Sequence, residues 1–273
     1  MQAASLYCRS NYVQRRDAKE VVKEYSKILQ WRYDGEDTLM DIGCGSGDVL
    51  IDYILPIMPK KFKKLTGIDI SENMIKYAKN YYKNIKNVEF NVLDIENDLN
   101  EIYYDQYDHI TSFYCWHWIQ NQRKALQNVY NILHEDGDCL ITFLAYNPVY
   151  DIYNDLSMNP KWCKYMTDVH KFISPFQYKE NPDQDFRLLL KSIGFQTIQI
   201  EMKNLLFVYE GLENLKRNNK AVNPFVNRLP VNLQDEFMND YIRGVISKGF
   251  SQKNGDDFIF PTPYKLVVAY ARK

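Results

Sequence analysis

The chain has 273 residues, 45% apolar and 25% charged, with a formal net charge of -1. This is the make-up of a globular domain with a substantial elaboration, and it excludes a broad basic field for holding nucleic acid. No apolar run approaches the roughly twenty residues that span a bilayer. Five cysteines, at 8, 44, 115, 139 and 163, show no metal-ligand spacing and follow no secretory leader, which predicts reduced thiols in a cytoplasmic protein. Tyrosine is unusually frequent, with 22 copies. Pairs such as Tyr81-Tyr82 and Tyr103-Tyr104 predict helix or loop surfaces, and the surplus alone assigns no function.

In chain order, Ala18, Val21, Val22, Tyr25, Ile28 and Leu29 fall on one helical face. The segment through Gln30 therefore predicts a helix outside the sheet, free to cover one edge of a ligand site. Leu39-Met40-Asp41-Ile42-Gly43-Cys44-Gly45-Ser46-Gly47 then reads as a strand entering a tight turn that opens a helix. Glycine lacks a Cβ, so the turn can take strained dihedrals and a ligand can lie against bare backbone. The helix runs from Asp48 to Ile57 and is stopped by Pro56 and Pro59. The lysine cluster Lys60-Lys61-Phe62-Lys63-Lys64 reads as a solvated loop. Leu65 to Ile70 forms the next strand, and Asp69 near its end is placed to accept hydrogen bonds from a ribose.

The glycine spacing is G-x-G-x-G, with Asp48 where a dinucleotide fingerprint wants its third glycine. No lysine occupies the P-loop position, which disfavours a nucleoside triphosphate. A pyrophosphate relies on the positive end of a helix dipole, and Asp41 and Asp48 flank the turn with negative charge. Acids there suit a cationic ligand. S-adenosylmethionine, with a sulfonium and an ammonium, fits.

Ser71 is placed to N-cap a second helix through Tyr82. Asn87 to Ile95 alternates as a strand and ends at Asp94. Alone, Asp94 reads as a turn or cap residue; after the glycine turn and Asp69 it is placed for an adenine amino group, with Ile95 over the ring. A strand at Tyr107–Phe113, a helix at Gln120–Leu133 and a strand at Asp138–Ala145, after the turn Glu135-Asp136-Gly137, complete a series of parallel βαβ units. Past Asn147-Pro148 the rhythm breaks. Val149 to Pro182 predicts an irregular or helical insertion, and Asp183 to Ser192 a helix ended by Gly194. A strand at Phe195–Glu201, helices near Gly211–Asn218 and Leu233–Ser247, and a last strand at Lys265–Ala271 follow. Segments 1–30, 149–182 and 204–263 are expected to form a cap on one domain spanning 1–273, beyond the carboxyl ends of the strands.

Ser112-Phe113-Tyr114-Cys115-Trp116-His117-Trp118-Ile119 directly follows the fourth strand, where a transferable methyl would face. Core packing is the default for a lone tryptophan. A His-Trp pair opening a helix at that strand end also fits substrate contact, since an indole donates and an imidazole does either.

These residues resemble the insect juvenile hormone acid O-methyltransferases over most of the chain. The resemblance is carried by Leu6-Tyr7, Asn11, Gln14 and Asp17-Ala18, by the turn at Asp41–Gly45, and by Gly67-Ile68-Asp69-Ile70-Ser71-Glu72. It continues through Leu93-Asp94-Ile95-Glu96, Ser112-Phe113-Tyr114 and His117-Trp118-Ile119. It implies an α/β, Rossmann-like class I methyltransferase sheet, mostly parallel with an antiparallel last strand, under a helical cap. It also implies methyl transfer from S-adenosylmethionine to the carboxylate of a sesquiterpenoid acid, farnesoic acid or juvenile hormone acid. Asp41, Gly43, Gly45, Asp69, Ile70, Met74, Asp94, Ile95 and Ser112 would hold the cofactor. Gln14 and Trp118 would hold the carboxylate, with His117 assisting or ordering the loop.

Gln14 fits that role physically, because a neutral amide aims a carboxylate without the ground-state stabilisation an arginine brings. Otherwise a glutamine on an exposed helix contacts water, and Arg15 and Arg16 beside it are expected to be solvated. Two other functions compete. A methyltransferase of the trans-aconitate type would need Arg217, Arg228 or Arg243 to pair extra carboxylates, and a terpenoid-binding protein could keep the fold without the reaction. A dehydrogenase fails on glycine spacing. The oligomeric state is left open.

Overall fold

Eight strands form one sheet in the order β3-β2-β1-β4-β5-β8-β6, with β7 paired to the start of β8. The computed structural model describes residues 7–255 and 257–273, so Leu6 lies outside the described residues. The strands are β1 Thr38–Ile42, β2 Lys64–Asp69, β3 Val88–Val92, β4 Tyr107–Phe113, β5 Leu133–Tyr146, β6 Gln199–Glu210, β7 Gln252–Asn254 and β8 Asp257–Arg272. β1 to β5 pair in parallel, whereas β8 runs antiparallel to both β5 and β6. The α-helices are α1 Tyr12–Tyr25, α2 Glu72–Tyr81, α3 Gln122–Ile132, α4 Pro148–Met158, α5 Pro182–Ile193, α6 Leu212–Val222 and α7 Val231–Ser247.

Strand side chains alternate between two faces, and here both faces are buried. Leu39, Leu65, Leu140 and Leu144 point into one core, which also holds Ala18, Val21 and Val22 of α1 and Tyr153, Phe225, Phe237 and Tyr241 of the cap. Met40, Ile42, Ile68, Ile110, Ile141 and Phe143 enter the other, against Leu126, Val129, Phe186 and Leu190. The cap thus shares a core with one face of the sheet and is continuous with it.

Several elements differ from the sequence reading, among them β5, which begins at Leu133 and takes in the expected turn at 135–137. The helix after the glycine turn is wound as a π turn, Leu50–Ile54, then a 3₁₀ turn, Leu55–Ile57, because Pro56 has no N–H for an α-helical bond. β6 continues to Glu210, and β8 begins at Asp257, so 204–210 and 257–263 are strands of a long ribbon. Pro261 and Pro263 lie within β8, although proline is confined to strand edges and bulges. They sit opposite Val208 and Leu206 on a stretch where β8 has left β5, so their missing N–H groups cost no ladder bond. Ser71 does cap α2, accepting from the Met74 N–H.

At the end of the sheet opposite the glycine turn, His109 of β4 lies between two carboxylates, 2.6 Å from Asp138 and 2.9 Å from Asp37. The Gln30 and Arg32 N–H groups donate to the same acids, which latches the segment between α1 and β1 onto the sheet. Burial alone would depress the imidazole, but the bonds to Asp138 and Asp37 outweigh it and raise His109 to about 9. A folded value above the unfolded one, roughly 6.5, means a contribution fully present below that pH and lost as pH rises through 9. Melting temperature should therefore fall between pH 7 and 9.5. His109→Gln should remove that slope and cost about 3–5 kcal/mol at pH 7, because two buried carboxylates lose their cation. An unchanged slope in the variant would assign the effect elsewhere.

Candidate active site

The glycine turn is built on the end of β1. The N–H groups of Gly43 and Cys44 both donate to the Ile68 carbonyl, and φ is positive at Gly43, Gly45 and Gly47. The three glycines meet different neighbours. A Cβ on Gly43 would lie 2.2 Å from the Cys115 sulfur, and one on Gly47 would lie 2.8 Å from the Phe90 ring. At Gly45 the nearest atom is on the Tyr7 ring, 3.7 Å away. Gly43 and Gly47 thus admit protein side chains, and Gly45 presents the open backbone a ligand would use.

Asp69 closes β2 beside that opening. One oxygen accepts from the Gly45 N–H at 2.9 Å and the other from the Ser71 N–H at 2.8 Å. Each oxygen keeps a lone pair for a ribose hydroxyl. Ile70, the next residue, is 67% exposed, an apolar face at a strand end where a nucleobase could lie. Asp94 uses one oxygen on the Glu96 N–H and has the other to offer. These features suit an adenosine.

Other residues predicted for the cofactor sit deeper. Ile95 and Met74 are core side chains, and the Ser112 hydroxyl donates to the Ile42 carbonyl. Asp48 also departs from the expectation of an acid facing a cation. It accepts from Ser46, Asn11 and Arg15, and Arg15 bridges on to Asp52 at 2.7 Å. Neither Arg15 nor Arg16 is a free surface cation, because Arg16 pairs with Asp17.

Asp41 is different. It is buried at the end of β1 with one hydrogen bond, from Thr111 at 2.7 Å. Burial pushes its carboxyl up to about 7; the Thr111 bond opposes this, and the like charges of Asp69 and Asp48 add to it.

Beyond the turn, between sheet and cap, lies a cavity of about 920 Å³, its mouth included. Gln14, His117 and Trp118 all line it. Among the described residues no Asp, Glu, Lys or Arg does so. Val13, Leu144, Ile152, Leu215, Val222 and Val245 supply apolar walls. Tyrosines 7, 114, 150, 153, 209 and 241 supply aromatic ones, which is where much of the tyrosine surplus goes.

His117 is buried and accepts the Leu144 N–H at Nδ1, 3.4 Å away, so its proton sits on Nε2. Burial lowers it to about 3, leaving a neutral donor. Trp118 packs edge-on against Phe172 and Tyr150. Trp116 is fully buried against Phe186, which settles it as core.

Gln14 is held from both sides of α1. Asn11 and Arg15 bind Asp48, and three residues beyond Gln14 the buried Asp17 accepts the Tyr114 and Tyr264 hydroxyls, each at 2.5 Å. Sequence reasoning missed this clamp, whose partners are 97 and 247 residues away from Asp17. Its one local signal was an acid on the apolar side of a helix.

Residues 34–187 match the family model described as a methyltransferase domain. The chain is 48% identical to the juvenile hormone acid O-methyltransferase of Drosophila melanogaster, over 100% of this chain and 93% of that protein. It is 37% identical to the enzyme of the same name from Bombyx mori, over 100% and 98%. The crystal structure of the YcgJ protein from Bacillus subtilis shares the fold, with a TM-score of 0.62 at 17% identity, covering 93% of this chain and 98% of that one.

The state of Asp41 makes cationic ligand binding depend on pH. A bound cation favours the carboxylate, so binding below the free value of about 7 must release a proton. S-adenosylmethionine affinity should weaken roughly tenfold from pH 8 to pH 6 by calorimetry. Asp41→Asn should bind more weakly and show no such slope. A parent protein with pH-independent affinity would remove Asp41 from the cofactor's surroundings.

Proposed function

The chain belongs to the juvenile hormone acid O-methyltransferases, and from that membership and its uncharged pocket we propose that it methylates the carboxylate of a sesquiterpenoid acid. Farnesoic acid and juvenile hormone acid are the substrates in view, and S-adenosylmethionine is the donor. The observation that carries this reading is a cavity with apolar and aromatic walls and only neutral donors, lined also by Tyr7, whose ring is the nearest group to Gly45. A tricarboxylate would need cations there. Arg228 pairs with Asp168, Arg243 with Asp240, and Arg217 donates to Asn214; none of them lines the cavity.

When bound, S-adenosylmethionine supplies an electrophilic methyl on a positively charged sulfur. A carboxylic acid with pKa near ~4–5 is already an anion at neutral pH, so no protein base is required. The chain's task is to desolvate that anion, hold it and aim it. Apolar walls exclude the water that would otherwise stabilise the separated charges more than the transition state. Gln14 and Trp118 would donate to one oxygen, and His117, neutral with its proton on Nε2, would join them. Neutral donors orient the oxygen without pairing its charge, which leaves it reactive.

Among the described residues no helix is long and apolar enough to cross a membrane. All five thiols are free, which supports a cytoplasmic enzyme.

Incubation with labelled S-adenosylmethionine should give methyl farnesoate, and no ester from trans-aconitate. Gln14→Ala and Trp118→Phe should each lower kcat/KM for farnesoate about 10- to 100-fold, or ~1.4–2.8 kcal/mol. Cofactor affinity should stay within about twofold, because neither side chain reaches the Asp69 side of the turn. Preference for the tricarboxylate, or full activity of Gln14→Ala, would overturn the assignment.

A further inference from the structure

Resting on that reading, we propose that Tyr150 is a further substrate-binding residue, whose hydroxyl donates a hydrogen bond to the carboxylate held by Gln14, Trp118 and His117. Two observations converge on it. Tyr150 is 1% exposed, and its hydroxyl has no hydrogen-bond partner. Among the described residues, just two of the buried, unpartnered side-chain polar atoms belong to residues lining the cavity: the Tyr150 hydroxyl and the Gln14 amide oxygen. Native interiors rarely leave such groups unpaired, and of these two atoms the phenol is the one that can donate, so an acceptor such as a carboxylate is its natural partner.

The second observation is placement. Tyr150 lies in the first turn of α4, and Asn147, Pro148 and Val149 of that turn line the same cavity. The positive end of an eleven-residue helix therefore borders the pocket and favours an anion there. Its backbone donors are already used. Asn147 accepts the Val149 N–H through its side chain and the Tyr150 N–H through its carbonyl, and Pro148 has no N–H. The phenol is the donor left over. Its ring is 6.5 Å from that of His117 and 6.4 Å from that of Trp118, centre to centre, in one aromatic cluster with both. Burial holds the phenol well above its ordinary value, so it stays protonated and can only donate to a carboxylate.

The proposal predicts a separation between binding and stability that a packing role would not produce. Tyr150→Phe keeps the ring and removes the unpaired hydroxyl, so melting temperature should not fall. Farnesoate binding to the full chain saturated with S-adenosylhomocysteine, read by calorimetry, should weaken tenfold or more, with S-adenosylhomocysteine affinity within twofold of the parent. Farnesoate affinity equal to the parent's would overturn the proposal, and so would equal losses for both ligands. Because the readout is binding, it decides the role of Tyr150 even if the parent gave no methyl ester, an outcome that would count against the reaction alone.

Discussion

Two buried carboxylates on either side of one helical turn fix where Gln14 stands at the edge of the cavity. Asp48 receives Asn11 and Arg15 from one face of α1, and Asp17 of α1 itself receives Tyr114 and Tyr264 from the sheet. A buried carboxylate without donors costs several kcal/mol, so neither can be left unmet. The helix is consequently bound at two points that bracket Gln14, and Ala18, Val21 and Val22 are pressed into the core behind it. Tyr114 adopts a positive φ of 55°, unusual for a bulky residue, at the end of β4. Strain of roughly 1–3 kcal/mol is tolerated where surrounding bonds over-determine the conformation. The bond to Asp17 does so here, and it sets the direction in which the chain leaves toward His117 and Trp118.

Charge is divided sharply across the turn. Asp41 and Asp69 lie at the glycine turn with no basic side-chain partner among the described residues, whereas the cavity is lined by hydroxyls, amides, an indole and a neutral imidazole. The carboxylate that does have an arginine, Asp48, points it at α1 instead. An anion entering the cavity would lose water and gain no counter-charge from its lining, so its attraction to a cation beyond the wall would be strong, since Coulomb energy grows as the surrounding dielectric falls.

The βαβ core was legible because β1 and β2 are short apolar runs, buried on both faces, and the glycine turn has a fixed place between strand and helix. The far ends of β6 and β8 read as cap in the sequence, because they pair with each other beyond the end of the β5 ladder and that pairing is a fact no local window contains. Arg15 and Arg16 were misread for a related reason. Their partners Asp48 and Asp52 are far away in sequence, and Asp17, though adjacent to Arg16, becomes a buried acid only once Tyr114 and Tyr264 arrive. Tyr150 was invisible among 22 tyrosines, because an unpaired hydroxyl is a property of surroundings and not of residue type.

The contrast between the two ends of the sheet explains how one fold can be both stable and receptive. At the far end, His109 and its two acids pair a buried cation with buried anions, and the backbone of Gln30 and Arg32 adds donors to both acids. At the near end, Asp41 has one hydroxyl for a partner, and Gln14 and Tyr150 each have an atom with none. Unpaired buried atoms also occur at Trp116 and at one oxygen of Asp37, neither of which lines the cavity. Around the cavity the Tyr150 hydroxyl has a donor to offer, which an incoming acceptor can meet. Each unmet group is a free-energy cost of the empty site that disappears on binding. The site is thus predisposed toward its ligands by what it lacks, while the paired network at the opposite end keeps the strands that carry it in register.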